Sequence, residues 1–320
     1  MKILLLALDG KLGDAIINSA FASIASTIDE KLDLHILASD SAFKYWSRTK
    51  IPSKIWEINT KSLTNTLFIA IQLNLQKFDY VITFRNGFKS EKTRILLKLI
   101  NPKNPTIYSE NDSQENPKHV VHKSIIAIKY IYKKDTEESI ATYIKPVIDN
   151  NLYKNSQKPF VLINPFAADN NPNRSLTRDE TIELSQIITQ TAGKSTNIKI
   201  IVTPSSEKIT SSWSSDLPSE ISFINTDNDI DKLFWLCKNS EAIISVDTAL
   251  THIASAFNKP LVAIYPKQEW QNSAWAPRLC PHHIIQSATP SNLRGFDVHA
   301  VASSLMDLLV TSRDVSIDLQ

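Results

Sequence analysis

One stretch near the end of the chain, AIISVDTALTHIASAFNKPLVAIY (residues 242–265), constrains the fold more than any other. It contains an apolar run (residues 242–246), a polar turn, a helix-like segment with one apolar face (residues 249–257) and a second apolar run (residues 260–265). Continuous apolar runs of this length are typical of strands buried on both faces. A helix between two such strands predicts a parallel βαβ unit, and therefore a parallel sheet covered by helices.

The rest of the chain repeats this alternation. The predicted strands are residues 2–8, 34–38, 80–84, 106–108, 160–164, 198–203 and 221–224. The predicted helices are residues 14–28, 63–75, 90–100, 120–132, 137–148, 178–190, 206–213, 231–236 and 298–309, and Thr177 with Glu180 has the spacing of a capping box.

An apolar-poor segment rich in Asn and Lys, residues 150–159, divides the alternation and predicts a linker. The pattern therefore predicts an α/β protein of two Rossmann-like domains, residues 1–150 and 151–320, whose parallel sheets face each other across a cleft. The last helix is a candidate to pack back on the first domain.

Composition limits the kind of ligand site that the chain can build. The 320 residues include only five glycines, and neither a GxGxxG nor a GxxxxGK[ST] fingerprint occurs. A phosphate site would therefore have to be a helix start made of other residues, where free N–H groups and the helix dipole favour an anion.

Location and charge are less sharply defined by the sequence. The N-terminal apolar run is too short for a signal peptide, no run is long enough for a membrane span, and the two cysteines are far apart, so we expect a cytosolic protein with reduced thiols. Residues 1–150 hold 21 Lys and Arg against 16 Asp and Glu, whereas residues 151–320 hold 14 against 17. The basic first half indicates either an anionic partner or membrane surface, or ordinary solvated lysines.

Four polar segments follow predicted strands, at the end of a parallel sheet where ligands bind. In the first, residues 9–14 contain two of the five glycines, and Asp14 is either a helix N-cap or a general base. In the second, an Asn-rich loop leads from Asn164 to Arg174, which is either a solvated arginine or a cation that reaches phosphate oxygens. The third contains Glu207, which is either a favourable charge in a helix first turn or a ribose contact.

The fourth segment is the turn of the opening stretch. Asp247, Thr248 and His252 lie where a strand ends and a helix begins. Thr248 and His252 are four residues apart and share a helix face that points toward the turn. His252 is either a packed, half-buried side chain or a donor to a diphosphate.

Searches for other chemistry are negative. His119 with His122, and His282 with His283, lack carboxylate or cysteine companions at metal-ligand spacing, which favours structural or surface roles. There is no GxSxG motif, and basic residues do not alternate with aromatic ones as in a nucleic-acid-binding stripe. We expect no metal and no nucleic acid.

Taken together, these segments resemble glycosyltransferase family nine, the ADP-heptose:lipopolysaccharide heptosyltransferases. The resemblance is carried by three motifs, read in order along the chain: Lys11-Leu12-Gly13-Asp14, then Asn164-Pro165-Phe166-Ala167-Ala168 running on to Arg174-Ser175-Leu176, and Ser245-Val246-Asp247-Thr248-Ala249-Leu250-Thr251-His252-Ile253-Ala254-Ser255-Ala256. Ala249 replaces the usual glycine of the third motif, and Ser175 replaces the usual aromatic residue of the second.

The resemblance implies a GT-B fold and an inverting, metal-independent glycosyltransferase without a cofactor. It implies a nucleotide-sugar donor, ADP-heptose, an anionic lipid A–core acceptor, and a cytoplasmic enzyme in peripheral contact with the inner membrane of a Gram-negative bacterium. A different nucleotide sugar and a non-catalytic nucleotide-binding paralogue are the alternatives.

The resemblance also implies roles for individual residues. Asp14 corresponds to the general base. The roles of the other residues are diphosphate binding by Arg174, Asp247, Thr248, Ala249, Leu250 and His252, ribose or base contact by Glu207 and Asn164, and acceptor contact by Lys11, Arg85 and Lys89.

Overall fold

The computed structural model describes residues 1–84, 91–108, 119–149, 158–167, 171–192, 196–211, 213, 218–268 and 274–317. The chain divides into two compact units, of which the first comprises residues 1–147 and 273–276 and the second residues 148–272 and 277–320. The predicted linker lies almost entirely outside the described residues.

The first unit holds a five-stranded parallel sheet in the order β3-β2-β1-β4-β5. Its elements are β1 (Lys2–Ala7), α1 (Leu12–Ile28), β2 (Asp33–Ala38), α2 (Asp40–Trp46), β3 (Lys54–Glu57), α3 (Leu63–Leu75), β4 (Tyr80–Thr83), α4 (Glu91–Ile100), β5 (Ile107–Tyr108) and α5 (Val120–Tyr132). Helices α3 and α4 pack on one face of this sheet, where Leu4, Val81, Leu73 and Leu96 share a buried cluster.

The second unit holds a six-stranded parallel sheet in the order β11-β10-β9-β6-β7-β8. Its elements are β6 (Phe160–Asn164), α6 (Arg178–Ala192), β7 (Asn197–Val202), α7 (Glu207–Thr210), β8 (Ile221–Asn225), α8 (Ile230–Asn239), β9 (Ala242–Val246), α9 (Ala249–Ala256), β10 (Leu261–Tyr265), β11 (His282–Gln286) and α10 (Val298–Ile317). Helix α10 packs against α6 and the sheet of this unit, and Leu305 lies in the cluster that includes Ile163 and Val262.

The predicted helix at residues 137–148 is wrong. Only a short 3-10 turn, Glu138–Ile140, forms there. Beyond it the backbone is irregular because other elements satisfy its polar groups: the hydroxyl of Ser19 accepts from the N–H of Ile144 (2.9 Å), and the hydroxyl of Tyr45 donates to the Ile144 carbonyl (2.7 Å). These partners replace the bonds that a helix would have made within itself.

The capping box is confirmed. The N–H of Glu180 donates to Thr177 Oγ1 (3.2 Å), and the N–H of Thr177 donates to Glu180 Oε2 (2.7 Å). Two N–H groups that the first turn of α6 cannot satisfy by itself are thereby paired.

The scarcity of glycine has a visible consequence in the backbone. Among the described residues, two glycines have a positive φ, Gly10 and Gly295. Eight non-glycine residues also adopt a positive φ: Asp40, Lys77, Asn101, Lys133, Asp227, Asn228, Asn258 and Leu279.

The described residues contain no helix that is both long enough and apolar enough to cross a bilayer.

Candidate active site

Three polar side chains join the carboxyl ends of β6 and β9. Asn164 and Ser245 are register partners, and Nδ2 of Asn164 donates to Ser245 Oγ (3.3 Å) and to Thr248 Oγ1 (2.9 Å). Strands β6, β7 and β8 follow one another to one side of the sheet, and β9, β10 and β11 to the other. The strand order therefore reverses between β6 and β9, which is where open parallel sheets bind their ligands.

The start of α9 has the form of an anion site. Thr248 is the N-cap, and its Oγ1 accepts from the N–H of Leu250 (3.3 Å) while the Thr251 hydroxyl donates to the Thr248 carbonyl (2.8 Å). Ala249 is the first helical residue, half-buried and without a positive φ. An alanine is therefore compatible with this backbone, and the first turn presents its N–H groups and the positive end of the dipole beside Asn164.

His252 lies within α9, one turn further on. Its side chain is buried, with 5% of its surface exposed. It lies one turn from the helix start, a position compatible with both a packed side chain and a donor to a ligand bound there.

Arg174 and Asp247 form an ion pair at the same end of the sheet, where the strands have their carboxyl ends. The guanidinium of Arg174 bonds Asp247 Oδ2, and 40% of the Arg174 side chain is exposed compared with 13% of Asp247. A guanidinium has five N–H donors, so a bond to one carboxylate oxygen leaves donors that can bind an anion. The ion pair holds Arg174 beside the start of α9.

Behind this pair lies Tyr265, at the end of β10. Its side chain is fully buried beside the side chains of Asp247 and Thr251. Burial raises the pKa of Tyr265 far above its ordinary value, and the negative charge of Asp247 acts in the same direction. Tyr265 therefore stays protonated and can donate to Asp247, which helps to fix the carboxylate that holds Arg174.

Ser175 closes the loop that carries Arg174. Its hydroxyl donates to the Asn171 carbonyl (2.8 Å) and accepts from the N–H of Ala167 (3.0 Å), and the N–H of Leu176 bonds the Pro165 carbonyl (2.8 Å). These bonds join residues on both sides of positions 168–170, which lie outside the described residues. A serine at this position therefore has a structural role that an aromatic residue could not fulfil.

Arg294 supports the same loop from a distant part of the chain. Its guanidinium pairs with Glu180, donates to the Pro172 carbonyl (3.0 Å) and bonds the Ser175 carbonyl. The neighbouring N–H of Leu293 donates to the Asn173 carbonyl (2.8 Å). The segment around Arg294 thus contacts the loop on either side of Arg174 and links it to the start of α6.

Glu207 begins the four-residue helix α7, immediately beyond β7, and its side chain is exposed. The turn before it is held by Ser206, whose Oγ accepts from the N–H of Thr203 (2.9 Å). Because β7 is parallel to β6 and next to it, Glu207 lies at the same end of the sheet as Asn164. Its position suits either a first-turn charge or a contact to a ligand bound there.

In the first unit, Asp14 lies in the first turn of α1 and is half-buried. The N-cap is the exposed Lys11, which makes no side-chain capping bond, so the interpretation of Asp14 as an N-cap is wrong.

The turn before α1 contains Gly10, which has a φ of +67°, and a Cβ there would lie 2.8 Å from Asp40 Oδ2. The turn before α1 therefore requires glycine, as its sequence predicted. Arg85 and Lys89 lie outside the described residues.

The histidine pairs have structural surroundings. His119 caps α5 by accepting from the N–H of Val121 (3.2 Å), and its Nε2 lies 3.0 Å from the Ala276 carbonyl. His282 and His283 belong to β11, where His283 lies 3.1 Å from Asp307. In the part of the chain that the structure describes, no three His, Cys, Asp or Glu residues are grouped to hold a metal ion.

Sequence reasoning missed several residues of this region. Tyr265, a hydroxyl at the carboxyl end of a strand, could have been recognised by its position. Arg294 could not, since it lies 114 residues from Glu180 and no local pattern connects the two.

Taken together, the second unit is a six-stranded Rossmann-like domain of the kind that binds nucleotides, with a capped helix start and a fixed arginine at the point where its strand order reverses. The model of glycosyltransferase family 9 (heptosyltransferase) matches residues 114–283, more than half of the chain. The chain belongs to this family.

Solved structures with the same fold extend this comparison to the whole chain. A family 9 glycosyltransferase of Veillonella parvula matches with a TM-score of 0.80 at 12% identity, covering 97% of each chain. ADP-heptose lps heptosyltransferase II of E. coli gives 0.74 at 16% identity over 98% of this chain and 100% of its own. E. coli heptosyltransferase WaaC with ADP gives 0.75 at 12% identity over 96% and 100%. The predicted α/β class with two Rossmann-like parallel sheets is confirmed.

One sequence relative is closer over a shorter stretch. A protein of Escherichia coli K12 provisionally named lipopolysaccharide heptosyltransferase 4 is 36% identical over 78 residues. The match spans 23% of this chain and 21% of the length of that relative.

Proposed function

We propose that this chain is an inverting, metal-independent glycosyltransferase that moves a heptose from ADP-heptose to a lipopolysaccharide core or a related glycan. The observation that carries the proposal is the start of α9, where Thr248 caps a helix at the point of strand reversal and Arg174 is held beside it by Asp247. The family and the names of the E. coli relatives, an ADP-heptose heptosyltransferase and a heptosyltransferase with ADP, support this choice of donor.

The donor diphosphate would bind at the start of α9, through the N–H of Ala249 and that of Leu250, which would exchange its bond to Thr248 Oγ1 for a phosphate oxygen. Arg174 and His252 would be further donors. Helix dipole and guanidinium stabilise the negative charge that develops on the leaving ADP, so that the bond between the anomeric carbon and the phosphate oxygen can break. Glu207 and Asn164 lie at the same end of the sheet and are proposed to contact the ribose or base.

Asp14 is proposed as the general base. An acceptor hydroxyl attacks the anomeric carbon from the face opposite the diphosphate, its proton passes to the Asp14 carboxylate, and ADP leaves with the bonding electron pair. The result is inversion at the anomeric carbon. Lys11, Arg85 and Lys89 are proposed to contact the phosphorylated lipid A–core acceptor, on the cytoplasmic face of the inner membrane of a Gram-negative bacterium.

Two substitutions test the donor and the base separately. Thr248→Val should remove the cap of α9 and reduce the thermal stabilisation by ADP, whereas Asp14→Asn should leave that stabilisation unchanged. In a transfer assay with ADP-heptose, Asp14→Asn should lower kcat by at least about 100-fold, the usual contribution of a general base. Asp29→Asn, at the other end of α1, is the matched control and should retain activity.

The outcomes separate the alternatives. Stabilisation by a UDP-sugar but by no adenine ligand would replace the donor, and nucleotide binding without any transfer would identify a non-catalytic paralogue. If transfer survives Asp14→Asn, Asp14 is not the base and Asp9 becomes the next candidate.

A further inference from the structure

Helix α3 has an apolar face that points to solvent. Its buried side, with Ile69, Ala70 and Leu73, packs on the first sheet. Its outer side exposes five large apolar side chains at 37–70% of their surface: Leu63, Leu67, Phe68, Ile71 and Leu75. Four of them recur every four residues and therefore form one stripe along the helix, with Phe68 beside it. Soluble helices ordinarily present polar residues on this side.

The neighbouring helix α4 continues this surface. Ile95 and Leu99 are exposed at 38% each, and they alternate with the exposed Arg94 and Lys98. Nδ2 of Asn74 donates to the Leu99 carbonyl (2.7 Å), so the C-terminal ends of the two helices lie side by side. We call the seven exposed apolar residues of α3 and α4 the α3–α4 face.

The exposed charged side chains described on α4 and directly beside α3 are basic. Helix α3 itself carries no charge, and the one acidic residue of α4 is Glu91 at its start. Lys61, Lys77, Arg94 and Lys98 are exposed. A second copy docked across a two-fold axis would bring these like charges together, which disfavours self-association. Apolar side chains bordered by Lys and Arg fit instead the boundary between the headgroups and the acyl chains of an anionic bilayer.

We propose that the α3–α4 face binds the surface of an anionic lipid bilayer. The apolar side chains enter the boundary between headgroups and acyl chains, while the basic side chains pair with lipid phosphates above it. The inference rests on the proposed function in one respect, since a lipid-linked acceptor is what would require the enzyme at a membrane.

Vesicle flotation of the full-length protein tests this surface without donor, acceptor or turnover. The parent protein should float with vesicles that contain about 30% phosphatidylglycerol and much less with pure phosphatidylcholine. Arg94→Gln combined with Lys98→Gln should lower the partition coefficient about 30-fold, at about 1 kcal/mol per basic residue near an anionic surface. Phe68→Ser combined with Ile71→Ser should lower it at least tenfold.

Val310→Ser is the matched control. Val310 is a comparably exposed apolar residue, at 58%, on α10 of the second unit, and its replacement should leave flotation unchanged. Circular dichroism and ADP-induced thermal stabilisation of each variant establish that it is folded and that its donor site is intact. If the proposed donor is wrong, ADP will not stabilise the parent protein. If only this inference is wrong, ADP will stabilise the parent, but the parent will not float with anionic vesicles or will float no better than the double variants.

Two results would overturn the inference. One is flotation of the double variants equal to that of the parent. The other is a concentration-dependent dimer of the lipid-free parent that Phe68→Ser and Ile71→Ser dissociate, which would assign the face to a second copy of the chain.

Discussion

Arg294 offers the sharpest test of how the loop with Arg174 is held. Replacing it by Ala removes an ion pair to Glu180 and two bonds to backbone carbonyls, of Pro172 and Ser175. Bonds from a charged donor contribute about 1.5–3 kcal/mol each when buried, and exposed ion pairs about 0.2–1 kcal/mol. The Arg294 side chain is 35% exposed, so water recovers part of this loss, and we expect a net destabilisation of about 2 kcal/mol.

For a unit of this size, about 2 kcal/mol corresponds to a fall in Tm of about 4–8 °C, measurable by differential scanning calorimetry. Arg294→Lys should recover only part of it, because an ammonium cannot reproduce the fork that reaches three acceptors. Arg178→Ala is the matched control: Arg178 also lies at the start of α6 but pairs with Asp179, whose side chain is 91% exposed. We expect that control to shift Tm by about 1 °C or less.

The same substitution has a second consequence for ligand binding. If the loop is held through Arg294, Arg294→Ala should also weaken ADP binding, because Arg174 loses its fixed position. A Tm for Arg294→Ala that is equal to that of Arg178→Ala would refute the reasoning, since the loop would then be stable without this arginine.

Two further predictions concern the first unit. Gly10→Ala should lower the Tm of this unit, because the φ of +67° is strained for alanine and the new Cβ would lie 2.8 Å from Asp40 Oδ2. A Tm equal to that of the parent in calorimetry would contradict this. The second concerns His35, whose Nδ1 accepts from Trp56 Nε1 (3.1 Å) and whose Nε2 lies 3.1 Å from Asp33. Burial lowers the pKa of His35, although Asp33 acts in the opposite direction, so between its lowered pKa and 6.5 the unfolded chain binds more protons. The free energy of unfolding should therefore fall as pH decreases below about 6.5. Urea titrations of His35→Gln should show a weaker pH dependence of this free energy. An equally steep pH dependence in the variant would mean that other groups cause it.

The elements that the sequence predicted well are those with a regular apolar pattern along their length. The apolar runs of β6 and β9 and the periodic helices α3 and α5 have the predicted bounds. The missed strands are β3, KIWE, and β11, HHIIQ, in which polar residues interrupt the apolar run. Both lie at edges of their sheets, where one side of the strand has no neighbour and the apolar pattern is weakest.

The site shows the same division between local and distant information. The turn at Asp247 and Thr248 could be predicted, because strand, cap and helix are adjacent in sequence. The contacts that organise it join residues far apart: Asn164 reaches Thr248 across 84 positions, and Arg174 reaches Asp247 across 73. A single sequence shows that these residues follow strands, but the order of the strands in the sheet decides which of them meet.

The scarcity of glycine also means that this protein could be stabilised by placing glycine at positions with a positive φ. Lys133 ends α5 with a φ of 54°, and Leu279 has a φ of 66°, conformations that cost a residue with a Cβ about 1–2 kcal/mol. Glycine would avoid that cost at the expense of a more flexible unfolded chain, which leaves a gain of up to about 1 kcal/mol at each position. Because these turns are separate in sequence from the predicted donor-site residues, the chain could be adapted to higher temperature by glycine substitutions that leave those residues unchanged.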